Sequence, residues 1–169
     1  MSETALPMLM ALPAQYSWRR KGMVTMIKLN QTFMNETFNA MLMSGERLLS
    51  PVYCGFKQTG ILGVLGGPSN VFGFVALTST GRMLIVQSCL GRTATGSAYI
   101  QTATKVKIKD AMLGQKVIDI TFPDGKKDFR VKFQVSPKVI GCDFPDQGDN
   151  LKSLLYVLEK RAEGLENKK

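Results

Sequence analysis

Between residues 122 and 135 the chain reads FPDGKKDFRVKFQV, and this stretch constrains the fold more than any other. Pro123, Asp124 and Gly125 are turn residues: proline presets φ, aspartate bonds back to its own backbone, and glycine reaches positive φ. After them Phe129, Val131, Phe133 and Val135 alternate with Asp128, Arg130, Lys132 and Gln134. Successive side chains of a strand point to opposite sides, so this spacing demands a sheet with one buried and one wet face. A one-residue slip would turn the apolar set into water, so the register is fixed.

The same grammar extends upstream to Gly45. Short runs rich in Val, Ile, Phe and Tyr, over residues 47–56, 71–78, 82–90, 97–109 and 116–122, are separated by Gly, Pro, Asp and Ser. With 127–135 they make six candidate strands at the intervals of an antiparallel barrel or sandwich. The last element is helical: Asp149 or Asn150 offers an N-cap, and Leu151, Leu154, Leu155 and Leu158 form one apolar stripe. Burying four leucines contributes about 6 to 12 kcal/mol before entropy, enough to make this helix a plug for the end of a small barrel. The expected class is therefore mainly β, a β-barrel capped by a C-terminal α-helix.

Upstream of the strands, residues 1–21 show no period and read as an irregular arm. Over residues 23–43 the apolar positions Met23, Met26, Ile27, Phe33, Met34, Phe38, Met41 and Leu42 fall at helical spacing, and Gly45 supplies a stop, although residues 23–29 suit an extended chain equally well. Eight of the ten methionines lie within residues 1–43. Methionine adapts to surfaces that repack against partners, so Phe33, Met34, Phe38, Met41 and Leu42 are candidates for a face buried in a homo-oligomer. The organisation expected is an arm and amphipathic helix over 1–43, the barrel with its helix over 44–162, and a frayed tail over 163–169.

Composition narrows the chemistry. The chain has 169 residues, 44% of them hydrophobic, and no His, which removes most triads, zinc sites and acid-base relays. Cys54, Cys89 and Cys142 stand apart with no C-x-x-C pair and read as buried free thiols of a reducing compartment. No run reaches the length that spans a bilayer, and the first residues lack the basic region of a signal peptide, so a cytoplasmic protein is expected. The net charge of +9 is spread along the chain, and no carboxylate occurs between Glu46 and Asp110.

Gly45-Glu46 before the first strand, Phe-Val-Ala-Leu-Thr at residues 74–78 and Gly-Arg-Met-Leu-Ile at 81–85, followed by further strands and one amphipathic helix, resemble the bacterial pleckstrin-homology-like (PH-like) family. The resemblance covers residues 44–162. It implies a bent barrel of seven strands capped by a helix, with the seventh strand obtained by splitting residues 97–109, around Thr102 and Thr104. It also implies a binding module rather than an enzyme.

Three groups of residues are candidates for function. Lys105, Lys107 and Lys109 alternate with Val106 and Ile108, and with Arg130 and Lys132 they place five cations on one wet face that suits an anionic surface. Residues 60–68 form an apolar, glycine-rich loop that lacks the lysine and following helix of a phosphate loop. Its Ile61, Leu62, Val64 and Leu65 are expected to fold over the barrel; turned outward, they would meet a partner or membrane. Asp119, Asp124 and Asp128 form the one acidic group and read as turn chemistry and surface pairing. The function expected is a non-enzymatic adaptor that binds a protein partner, a second copy or an anionic surface, with peripheral membrane contact among the options. No catalytic residue, metal or cofactor is expected. The alternatives are a basic barrel binding nucleic acid, which the inward Phe129 and Phe133 disfavour, and a thiol enzyme using Cys54, Cys89 or Cys142.

Overall fold

The computed structural model describes residues 19–21, 30–57, 71–89, 92–123, 125 and 128–167. Its frame is an antiparallel sheet of seven strands: β2 (Leu48–Phe56), β3 (Val71–Thr78), β4 (Arg82–Cys89), β5 (Arg92–Tyr99), β6 (Lys105–Asp110), β7 (Lys116–Phe122) and β8 (Phe129–Val135). A three-residue strand, β1 (Arg19–Lys21), pairs along the edge of β5, so part of the stretch expected to be irregular is extended. The strand order is β1-β5-β4-β3-β2-β8-β7-β6.

Two meanders, β2 to β5 and β6 to β8, are therefore joined only at β2 and β8. That seam is short, with Gly55 opposite Gln134 and Phe56 opposite Phe133. The outer strands β1 and β6 do not pair, so the sheet is open and the closed barrel expected from sequence is not formed. The break lies within residues 97–109. A 3-10 turn at Ile100–Thr102 ends β5, Thr102 Oγ1 donates to Tyr99 O (2.8 Å), and Ala103 is fully buried. The chain leaves the first meander there and starts β6 in the second. Residues 97–109 thus belong to two strands, as the seven-strand reading required.

Helix α2 (Gln147–Glu166) covers the gap. Leu151, Leu154 and Leu158 are buried among Val52, Val75, Ile85, Ile118, Phe122 and Phe133, while Leu155 is only partly covered. Arg161 Nη2 donates to Ala103 O (2.6 Å), which ties the helix to the chain between the meanders. The helix starts earlier than Asp149 or Asn150, because Gln147 is one of its working residues. Where β2 and β8 diverge, the Tyr53 backbone has no strand partner on that side. The Gln147 side chain takes that place: Oε1 accepts from Tyr53 N (2.9 Å), and Nε2 donates to Tyr53 O (2.9 Å) and Ser136 O (3.0 Å). One buried amide substitutes for a missing strand, which buried backbone groups require. Asn150, expected as a cap, instead donates Nδ2 to Pro51 O (2.9 Å). The helix runs on to Glu166, with Leu165 against the core, so residues 163–166 do not form the frayed tail expected.

Helix α1 (Gln31–Asn39) is much shorter than the helix expected over 23–43. Asn30 caps it, its side chain accepting from Phe33 N (2.8 Å); residues 22–29 lie outside the described residues. Beyond Asn39 the backbone leaves the helix in a turn, with Met41 N bonded to Phe38 O (2.8 Å) and Leu42 N to Asn39 O (3.3 Å), and Met43 N donates to the Glu46 carboxylate (2.8 Å). Met34 and Phe38 of α1 pack on the outer face of the first meander with Phe74, Ala76, Leu84, Val86 and Phe144, forming a second core. Strand β3 is consequently covered on both sides: Val75 and Leu77 face α2, and Phe74 and Ala76 face α1. Gly73 is needed in this layer, since a Cβ there would lie 1.9 Å from Val86 O.

Glu46, Thr78 and Arg82, three of the residues that carried the resemblance, meet in one network around a buried ion pair. Glu46 Oε2 pairs with Arg82 Nη2 (2.5 Å), and Oε1 accepts from Arg82 Nε (3.1 Å), Thr78 Oγ1 (2.9 Å) and Thr80 Oγ1. Arg82 Nη2 also donates to Met41 O (2.8 Å). This network ties the segment after α1 to the β3-β4 turn, where Gly81 adopts φ +79°.

Candidate functional site

The second meander carries the cations singled out from sequence. On β6, Val106 is buried and Ile108 partly so, which turns Lys105, Lys107 and Lys109 outward and exposed. Pairing then sets the other residues of that face. Lys107 lies opposite Asp119 and Lys105 opposite Thr121; across β7, Asp119 lies opposite Lys132 and Thr121 opposite Arg130. All five cations share one face of β6 to β8, around a single carboxylate.

Asp119 is thus no turn residue. It sits mid-strand on β7, gripped by Arg130, whose Nε donates to Oδ1 (2.6 Å) and whose Nη2 donates to Oδ2. These bonds hold its carboxyl below the usual range, burial opposes them, and the fields of Arg130, Lys132 and Lys105 add to the lowering. The strand over 116–122 that carries Asp119 was legible in sequence; that its carboxylate is largely covered and held by Arg130 was not. Asp128 lies exposed just before β8, and Asp124 falls outside the described residues. Among the described residues, no ion pair engages Lys105, Lys107, Lys109 or Lys132. Their charge remains available to a ligand, whereas that of Arg130 is largely spent on Asp119.

Phe33, Met34, Phe38, Met41 and Leu42, the candidates for an oligomer face, all take part in the chain's own second core. Met34 and Phe38 are 1% and 0% exposed and have no surface left for another subunit. The apolar loop with Ile61, Leu62, Val64 and Leu65 lies outside the described residues. Cys54 is a buried free thiol whose pKa burial pushes well up, the opposite of what a nucleophile needs. Cys142 is free but only partly buried, contrary to expectation. The side chain of Cys89 is outside the described residues. Among the described residues no group of three His, Cys, Asp or Glu is placed to hold a metal ion, and no helix is long and apolar enough to cross a membrane.

Two concavities flank these elements. A groove of about 790 Å³ runs between α1, β2 and α2, past Asn35, Leu49 and Tyr156. A second, of about 440 Å³, opens at the β2-β8 seam beside Lys57, Gln134 and Lys138. Sequence reasoning missed the second because its residues come from β2, β8 and the segment after β8, which only the short seam brings together. It also missed the exposed Met112-Leu113 pair at the β6-β7 turn, visible in sequence as two apolar residues directly before Gly114. No protein family, curated protein or solved structure matches the chain.

Proposed function

We propose that this chain is a non-enzymatic binding module of PH-like type, an adaptor whose contact surface is the wet face of β6 to β8 and whose ligand is an anionic surface. The observation that carries this reading is the grouping of Lys105, Lys107, Lys109, Arg130 and Lys132 around one carboxylate, Asp119. A strand order of four plus three followed by one covering helix supports the PH-like part. Phe129 and Phe133 pack inward, which favours a charged surface over stacked bases as the ligand.

The test is binding to heparin, a soluble polyanion, over a salt series. The wild type should bind at low salt and weaken steeply as salt rises, because exposed charges are screened. Each lysine near an anionic surface is worth about 1 kcal/mol. The triple substitution Lys105→Gln, Lys107→Gln, Lys109→Gln should therefore weaken binding about 100-fold and flatten the salt dependence. Equal binding by the triple variant would defeat the proposal.

A further inference from the structure

The most exposed large apolar side chains among the described residues are Ile140 (90%), Leu113 (88%) and Met112 (83%). They gather at one end of the β6-β8 layer. Met112 and Leu113 form the β6-β7 turn, and a Cβ on the next residue, Gly114, would lie 3.7 Å from Pro137 in the segment after β8. Gln115 and Ile140 line the same 440 Å³ cavity, together with Lys57, Gln134 and Lys138. Leu113 has φ +57°, a left-handed conformation that branched and bulky residues seldom adopt. A leucine held there, pointing into solvent, is not explained by packing within the chain.

Several lysines lie at the same end of the layer. Lys109 ends the outward row of β6, Lys116 begins β7 beside Asp110, and Lys57 and Lys138 border the cavity. Protruding aliphatic side chains at the same end as several lysines suit a partner that is apolar inside and anionic at its surface. A bilayer has that layering, and being fluid it needs no matching shape. A protein partner fits less well, since lysine is depleted from protein interfaces. A second copy would set the same lysines against each other in a chain of net charge +9.

We propose that Met112, Leu113 and Ile140 insert into the interfacial zone of an anionic bilayer while Lys57, Lys109 and Lys138 meet the headgroup phosphates. This rests on the reading of the β6-β8 face as an anion-binding surface and names the source of the anion. It also separates two contributions: lysines give attraction that salt screens, and the tips give apolar burial that salt does not.

The test is co-sedimentation with phosphatidylcholine vesicles, with and without phosphatidylserine, run beside heparin binding. The double substitution Met112→Gln, Leu113→Asn and the single Ile140→Gln change only exposed side chains, and unchanged thermal melting verifies folding. The wild type should sediment with the phosphatidylserine vesicles and keep part of that binding at salt that abolishes heparin binding. The double variant should lose at least tenfold in vesicle affinity and bind heparin as the wild type does. Wild-type binding to heparin but not to vesicles would overturn the insertion and leave the anion-binding reading standing. Loss of both would overturn both. Undiminished vesicle binding by the double variant, or loss of a concentration-dependent dimer in it without a vesicle effect, would also overturn the insertion, the latter assigning the tips to a second copy.

Discussion

Replacing Glu46 with Gln tests whether the buried Glu46-Arg82 pair holds the segment after α1 to the β3-β4 turn. Glu46 accepts five hydrogen bonds, from Arg82 Nε and Nη2, Thr78, Thr80 and the backbone of Met43. The Arg82 bonds are the main reason its pKa falls from 4.5 to about 2; burial opposes them, and the Thr80, Met43 and Thr78 bonds add to the lowering. At 1.36 kcal/mol per unit, that difference corresponds to about 3 kcal/mol in favour of the ionised, folded form. A glutamine of the same shape turns an amide N–H₂ toward donors and leaves the Arg82 guanidinium buried without its counter-charge. Removing one partner of a buried pair costs about 3 to 5 kcal/mol, in line with the first figure. The folded pKa is depressed, so the stabilisation is fully present above about pH 4.5 and is lost as the pH falls toward 2. The assay is urea unfolding of wild type and Glu46→Gln at pH 7 and near pH 2.5. At pH 7 the variant should lose about 3 kcal/mol, or roughly 6 to 12 °C in Tm for a chain of this size. Near pH 2.5 the difference should shrink to about 1 kcal/mol, because Glu46 is then protonated in the unfolded chain and close to its folded pKa of about 2, while all other carboxylates titrate in both proteins. Replacing both partners by apolar residues, Glu46→Leu with Arg82→Met, should recover much of the loss. A difference below about 0.5 kcal/mol at pH 7, or one that persists unchanged near pH 2.5, would show that the Glu46 charge does not hold this turn.

Gly73→Ala should be among the most damaging single-methyl changes in the chain, because the new Cβ meets Val86 O at 1.9 Å and only backbone can move; strand separation there should cost on the order of 3 kcal/mol or more by chemical denaturation. Gln147→Ala removes the partners of the partly buried Tyr53 N and O and Ser136 O and should cost about 1 to 3 kcal/mol. Amide exchange should show the Tyr53 N–H losing protection out of proportion to the global loss. Phe38→Ala should cost about 3 to 5 kcal/mol, with the mass in solution unchanged by light scattering, since Phe38 is spent on the chain's own sheet.

Sequence alone determined the mainly β class, the alternation of β8, most breaks between strands and the leucine stripe of α2, because each is a local pattern of period or turn chemistry; it missed the start of β5 at Arg92 and, without the family resemblance, the break inside residues 97–109. The five cations were legible for the same reason: alternation assigns a face within each strand. Pairing between strands was not legible. Only tertiary structure placed Asp119 among those cations, since its partners Lys107, Lys132 and Arg130 lie on two other strands. It likewise decided that the sheet stays open, because whether β1 and β6 can meet depends on where the Ile100–Thr102 turn sends the chain and on the space α2 fills. Apolar spacing overstates the length of α1, because it continues past Asn39, where the backbone leaves the helix in a turn at Met41 and Leu42. The role of Gln147 was invisible for a similar reason: a glutamine in a helix carries no sign that a strand 94 residues away lacks a partner, and its hydrogen bonds to Tyr53 exist only once the sheet has split.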